Sequence, residues 1–367
     1  MVHLPGAGWQ WRTGGVASRP MWTHIRRYGA AAAAFAVTVA VAAPVGVAQA
    51  SLPNPYRWDQ GWVPKLPDGR EWGSTAGVAV DKAGNIYIAE RCGGNPLGCD
   101  GKTIDPIVVF GPDGKFRRSF GGGLFVQPHG LYIDATGNVW ATDVNAKDGR
   151  GHQVFKFSPE GKVLMRLGTA GVAGEGPNTF SQPSAVVVAP NGDIFVADGH
   201  IGEGSNQRIV KFTKDGTFIK AWGRKGTAPG EFDGPHAIAM DSRGRLFVGD
   251  RSNNRIQIFD QNGTFIDQWK QFGRPSGIFI NSTDTMFVID SETKNVPGYG
   301  YNPGGSRGIR IGSARDGKVV AYIPDPEPDP DHTGSTGGEG IAESGGVIYG
   351  FGDHRQKLPA QRRYVKN

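Results

Sequence analysis

Gln127-Pro128-His129-Gly130 leads into the apolar run Leu131 to Ile133, the turn Asp134 to Asn138, a second run Val139 to Thr142, and the carboxylate of Asp143. The phrase returns as Gly234-Pro235-His236-Ala237, and in weaker form as Gln182-Pro183-Ser184-Ala185 and Arg274-Pro275-Ser276-Gly277. Each copy is followed by the same alternation of run, turn, run and acid, the turn containing Gly in three of the four. Internal repetition therefore decides the fold class.

Apolar runs of four to six residues separated by Asp/Asn/Gly turns are hairpins, and no helical apolar period stands out beyond residue 50. Each repeat continues into an outer pair of strands, as in Arg208 to Phe212 with Phe218 to Trp222, or Asn254 to Phe259 with Phe265 to Trp269. Corresponding positions 76, 129, 184, 236, 276 and 339 are 53, 55, 52, 40 and 63 residues apart. Four-stranded units at these intervals predict an all-β fold, a six-bladed β-propeller. The sixth unit ends one strand short, after Arg362 to Lys366, so an N-terminal strand around Trp58 to Leu66 is expected to close the ring. Such closure removes an open sheet edge.

Residues 1–50 lack Asp, Glu and Lys and end in an Ala/Val-rich run closed by Ala48-Gln49-Ala50. This reads as a signal peptide cut before Ser51, with Met21 as an alternative start and 51–367 as a single propeller domain. Arg26-Arg27 admits twin-arginine export, although the usual Ser/Thr before the pair is missing. Export to a periplasmic or extracellular compartment is the expectation, with no membrane span after cleavage. Four of the 40 basic residues (Arg12, Arg19, Arg26, Arg27) lie in the leader, leaving 36 against 34 acidic, a net charge of +2. No Lys/Arg stripe argues for nucleic acid as a partner. Cys92 and Cys99 share one Gly-rich loop and, in an exported chain, read as a local disulfide.

In a propeller the innermost strands surround a central channel, and equivalent positions form a ring at one mouth. The ring residues are Ala76, His129, Ser184, His236, Ser276 and Glu339. Blades two, four and six thus offer His, His and Glu about 120° apart, a set able to hold zinc or another divalent transition metal. The structural alternative is that each His bonds a neighbouring backbone carbonyl. The acid after each inner hairpin (Glu90, Asp143, Asp198, Asp250, Asp290, Asp353) reads as structural, tying blade to blade. Arg91 and Arg251, beside two of these acids, suit a bidentate grip on a carboxylate, or salt bridges to their neighbours.

Pro128-His129-Gly130-Leu131, Trp140-Ala141-Thr142-Asp143-Val144, His152-Gln153-Val154-Phe155-Lys156, Pro235-His236 and Asp250-Arg251 with Asn254-Arg255-Ile256-Gln257 carry a family resemblance. The chain resembles peptidyl-α-hydroxyglycine α-amidating lyase, the lyase half of the peptide-amidating enzymes, and the wider NHL-repeat propellers. That resemblance implies a six-bladed propeller with a catalytic zinc on three His, a structural calcium in the channel, and two arginines and a tyrosine near the substrate. By position the zinc ligands fall on His129 and His236 and the arginines on Arg91 and Arg251. The third zinc His aligns with Glu339, the calcium-holding acid with Gly340, and the tyrosine with His200.

The expected function is an exported metal-dependent lyase that cleaves the C–N bond of a carbinolamide to an amide and glyoxylate. The substrate would be a small molecule or peptide bearing a carboxylate. His129, His236 and Glu339 are the expected metal ligands, and Arg91, His200 and Arg251 the catalytic residues, with His200 as base. A non-catalytic envelope propeller that binds a protein partner is the rival from another class. A calcium-dependent lactonase-type propeller ranks lower, because oxygen ligands dominate calcium sites. His152 is expected to be structural, and His332 and His354 are substitute ligand candidates.

Overall fold

A computed structural model of the protein describes residues 52–62, 64–94, 98–334, 338–352 and 361–367. Residues 1–51, which include the expected leader, and the ligand candidate His354 with its neighbour Asp353 lie outside the described residues. Strand β1 (Tyr56–Trp58) precedes five regular four-stranded antiparallel sheets. Blade one holds β2 (Thr75–Val80), β3 (Ile86–Glu90), β4 (Ile107–Phe110) and β5 (Phe116–Phe120). Blade two holds β6 (Pro128–Ile133), β7 (Val139–Lys147), β8 (Arg150–Phe157) and β9 (Val163–Leu167). Blade three holds β10 (Pro183–Val188), β11 (Ile194–Asp198), β12 (Arg208–Phe212) and β13 (Phe218–Trp222).

Blade four holds β14 (Pro235–Met240), β15 (Leu246–Asp250), β16 (Arg255–Phe259) and β17 (Phe265–Trp269). Blade five holds β18 (Gly277–Ile280), β19 (Thr285–Asp290), β20 (Gly308–Ser313) and β21 (Val319–Pro324). Blade six joins β22 (Gly338–Ser344), β23 (Val347–Gly352) and β24 (Gln361–Lys366) to β1 as its outermost strand. The six-bladed all-β propeller is therefore observed, and the N-terminal strand closes it. Tyr56, Arg57 and Trp58 pair with Lys366, Val365 and Tyr364, so the closing strand precedes the expected stretch and shares only Trp58 with it.

Apolar runs such as Ile194-Phe195-Val196-Ala197 are continuous rather than alternating because a neighbouring blade covers each face of the sheet. Six buried clusters result, one at each blade interface. Phe120 and Tyr87 of blade one meet Phe155 and Phe157 of blade two, for example. Tyr349 and Phe351 of blade six meet Val78 and Ile88 of blade one, with Trp62 packed on both rings. Inner hairpins turn at Gly84, Gly137, Gly192 and Gly244, with φ of 82°, 87°, 91° and 76°. In three of these turns an Asp at the first position accepts backbone N–H groups two and four residues on, as Asp81 does from Ala83 and Asn85.

The inner strands contain the feature that places the site. In blades one, two, three, four and six the register between the first and second strands slips at the ring position. Pro235 pairs with Asp250 and Ala237 with Gly249, so His236 is the extra residue of a β-bulge. Glu339 lies in the same way between the pairs Gly338↔Gly352 and Gly340↔Phe351. A bulge re-aims one side chain away from the sheet's alternation. Five of the six ring residues are thus inside the strand starts, Ser276 alone lying just before β18, and all six line a central channel of about 200 Å³.

Small residues after the bulges let the strands crowd around that channel. A Cβ on Gly130 would lie 2.5 Å from the Ser184 carbonyl oxygen, and one on Gly277 would lie 2.5 Å from that of Glu339. Each glycine therefore abuts the ring residue of the next blade.

Candidate metal centre

His129, His200 and His236 form a cluster whose ligand-capable atoms all lie within 4.8 Å of one another. Their ring centroids are 4.7, 4.9 and 5.1 Å apart, close to an equilateral triangle. His129 and His236 come from the bulges of β6 and β14, and His200 from the loop after β11. Its backbone N–H donates to Ser205 Oγ at 2.7 Å.

The carbonyls of the next blade orient the two bulge histidines. His129 Nδ1 is 2.8 Å from the Ser184 carbonyl oxygen, and His236 Nδ1 is 2.6 Å from that of Ser276. A carbonyl only accepts, so Nδ1 is the donor in each pair, and in the neutral ring Nε2 carries the lone pair. Burial, reinforced by the Arg251 guanidinium, holds the pKa of His200 and His236 well below the ordinary imidazole range. Both rings are neutral at pH 7, the form in which imidazole binds metals.

The donor set fits a divalent transition metal. Two nitrogens at 2.0–2.1 Å from a tetrahedral ion are about 3.3 Å apart. His236 Nε2 and His200 Nε2 are 3.2 Å apart. Three imidazoles suit zinc and its neighbours, whereas calcium takes oxygen ligands and Gly340 supplies no side-chain oxygen. Carbonyl-bound Nδ1 groups supply the outer-sphere orientation typical of metal-binding His.

Two of the expected site residues stand in unexpected surroundings. His200, read as a base, stands in the imidazole cluster, while Glu339, read as a ligand, faces two arginines. Glu339 Oε2 is 3.3 Å from Arg91 Nη2, and Oε1 is 3.6 Å from Arg251 Nη1. Its closest approach to the cluster is Oε2 to His129 Nε2, at 3.7 Å. The reason is geometric: the His200 loop projects over the mouth, whereas the Glu339 carboxylate meets Arg91 and Arg251 before it reaches all three rings. His152 is buried on β8, where Nδ1 accepts the Gln182 N–H at 2.9 Å, a structural role. His332 is exposed and pairs with Asp329 at 2.8 Å.

Arg91 and Arg251 are buried, yet neither pairs with the acid preceding it. Glu90 accepts from the backbone N–H groups of Gly73 and Gly93 and from Arg70. Asp250 accepts from Asp233 N–H, Asn253, Arg255 and Gln257. Asp143 likewise takes the N–H groups of Val126 and Gln127, and Asp198 that of Ser181. These acids clamp the crossing from one blade to the next, as their recurrence suggests. The Cys92–Cys99 disulfide is present, spanning seven residues of sequence directly after Arg91.

Three residues of this neighbourhood were not singled out from the sequence. Glu292 Oε2 is 3.5 Å from Arg251 Nη1 and 3.2 Å from Arg274 Nε, and Tyr299 Oη donates to Glu292 Oε1 at 2.8 Å. Arg274 lies over the Tyr299 ring at 5.1 Å and donates to the Arg251 carbonyl at 2.9 Å. Arg251 and Arg274 hold the Glu292 carboxyl below its usual range despite burial. The available signals were a second acid two residues after Asp290 and a Tyr-bearing insertion in one blade only.

A profile of the NHL repeat matches residues 180–212 and 232–259, within blades three and four. Human NHL repeat-containing protein 3 is 38% identical over 199 residues, covering 53% of each chain. Mouse peptidyl-glycine alpha-amidating monooxygenase is 37% identical over 46% of this chain and 18% of its own. Drosophila melanogaster peptidyl-alpha-hydroxyglycine alpha-amidating lyase 1 is 35% identical over 52% of this chain and 38% of its own. The matches thus span about half the length, or less, of these curated relatives. Among solved structures, a Xanthomonas campestris gluconolactonase superposes with a TM-score of 0.54 at 13% identity, covering 86% of this chain and 96% of its own. A streptogramin B lyase gives 0.53 at 14%, covering 85% and 98%. At these identities the solved structures show the fold alone.

Proposed function

We propose that this chain, an NHL-repeat six-bladed β-propeller related to the alpha-amidating lyases and to NHL repeat-containing protein 3, is a metal-dependent carbon–nitrogen lyase. Its substrate class is an N-acyl-α-hydroxyglycine, and its products are a primary amide and glyoxylate. The observation that carries this reading is the triangle of imidazoles at one channel mouth, two of them buried and held through Nδ1 by the next blade's backbone. His129, His200 and His236 would hold a divalent ion such as zinc, which when bound supplies Lewis acidity to a substrate hydroxyl. The relatives that carry a lyase name favour this chemistry over other uses of such a site.

Arg91 and Arg251 lie beside the cluster and suit the substrate carboxylate, a charge-assisted contact that would orient the carbinol carbon toward the ion. As the C–N bond breaks, the carbinol oxygen becomes the carbonyl of glyoxylate and its proton must reach the departing amide nitrogen. Glu339, with Oε2 3.7 Å from His129 Nε2, is placed to carry that proton. The Arg251–Glu292–Arg274 group fixes one guanidinium from behind. The disulfide fits an oxidising compartment, in keeping with export.

The test is incubation of zinc-loaded protein with N-benzoyl-α-hydroxyglycine, measuring benzamide and glyoxylate. Equimolar products, abolished by His129→Ala/His236→Ala, support the lyase. The match to NHL repeat-containing protein 3, whose name states no activity, favours a binding propeller as the second reading. No turnover by a folded, metal-loaded protein across a panel of N-acyl groups would leave that reading in place.

A further inference from the structure

Two guanidiniums buried at one mouth need a counter-charge, because an uncompensated buried charge is strongly destabilising. Among the described residues two carboxylates provide it, and they have different partners. Glu292 is fixed from three sides by Arg274, Tyr299 and Arg251. Among the described residues, the Glu339 carboxylate meets side chains of the site: Arg91 through Oε2, Arg251 through Oε1, and His129. Its approaches are 3.3, 3.6 and 3.7 Å, whereas the structural pairs Asp198–Arg208 and Asp250–Arg255 close to 2.8 Å. A carboxylate with one oxygen toward each arginine and, among the described residues, no backbone donor has the arrangement expected of a ligand carboxylate.

We propose that Glu339 is a built-in stand-in for a ligand carboxylate, occupying the seat between Arg91 and Arg251 until an anionic ligand displaces it. The proposal rests on the lyase reading for the identity of the ligand, but the seat itself does not depend on catalysis. It gives the empty protein a counter-charge for both arginines and makes entry of a carboxylate an exchange of one anion for another. Glu339, once displaced, is freed beside His129. The exchange weakens carboxylate binding and selects for ligands whose remaining contacts offset it.

The probe pair is N-benzoylglycine and its neutral primary amide, titrated calorimetrically into zinc-loaded full-length protein and into Glu339→Gln. The expected result is N-benzoylglycine binding at least about tenfold tighter to Glu339→Gln, a difference of about 1.4 kcal/mol. The neutral amide should bind both alike, and zinc content should be unchanged. Equal carboxylate affinity in the two proteins, or loss of zinc from a folded Glu339→Gln, would overturn the proposal, the latter by making Glu339 a ligand. Should Glu339→Gln fail to fold, Glu339→Asp retains the charge one methylene further back. N-benzoylglycine must then raise its Tm more than that of the parent, and an equal or smaller rise counts against the seat. Absence of lyase turnover with a positive carboxylate exchange would refute the function proposed above while leaving the seat standing.

Discussion

Each bulge histidine divides its two nitrogens between structure and chemistry. Nδ1 is held by the next blade's carbonyl, and Nε2 is directed toward the other rings. Because Gly130 abuts the Ser184 carbonyl that holds His129, Gly130→Ala is expected to push that acceptor away. Its measured zinc affinity should fall by roughly 10- to 100-fold, the usual cost of losing an outer-sphere partner, while the fold persists. His200→Ala should release the ion if His200 is a ligand, and retention of zinc by that variant would return the role to Glu339. Arg251→Ala leaves Glu292 and Glu339 short of a cation in a buried site and should cost about 3–5 kcal/mol in denaturant unfolding. At this scale the sequence showed His129, His236, Arg91 and Arg251 through their repeat positions. It could not show that His200 would stand beside His129 and His236 while Glu339 faces the arginines, because which side chain reaches the axis depends on a loop trajectory that no repeat encodes. Glu292, Arg274 and Tyr299 were hidden for a related reason, since their contacts cross from one loop to another.

At the scale of the element, the recurring acid after each inner hairpin is a clamp whose strength varies with its cation. Asp198 and Asp250 each pair with an arginine of the next strand at 2.8 Å. Asp143 faces Gln153 there instead, and burial pushes its carboxyl up to about 7, against about 6 for Asp198. Between pH of about 4 and 7 the unfolded chain has released a proton that folded Asp143 retains, so this group's contribution to stability falls as pH rises. His200 and His236, held neutral in the fold, act in the opposite sense below their ordinary range, so the effect is read as a difference. Stability of the parent relative to Asp143→Asn should decline from pH 4 to 7, by at most about 1.4 kcal/mol per pH unit. Urea unfolding across that range measures it, and a flat difference would show that the carboxyl ionises normally. The hairpins and their Gly turns were legible because turn chemistry is local, and so was the recurrence of the acid. The bulges were not, because a register slip shows only when two strands are paired.

For the molecule as a whole, repetition made the blade count readable, and a missing outer strand made the closure readable. Pairing of β1 with β24 ties the N-terminal segment to the last strand, and Trp62 seals the junction of blades six and one. Deleting residues 52–62 exposes the β24 edge and empties the Trp62 site, so this truncation should lower Tm and promote aggregation in light scattering. A truncated protein with unchanged Tm would mean that closure contributes little. The ring has a functional consequence as well, because the three imidazoles come from blades two, three and four and keep their spacing only while those blades stay in contact. The most direct test of the account is the zinc content of the purified protein by elemental analysis, beside His129→Ala/His236→Ala. The account predicts close to one ion per chain in the parent and none in the double variant. A folded parent that holds no zinc or other divalent transition metal after incubation with it would contradict the central claim.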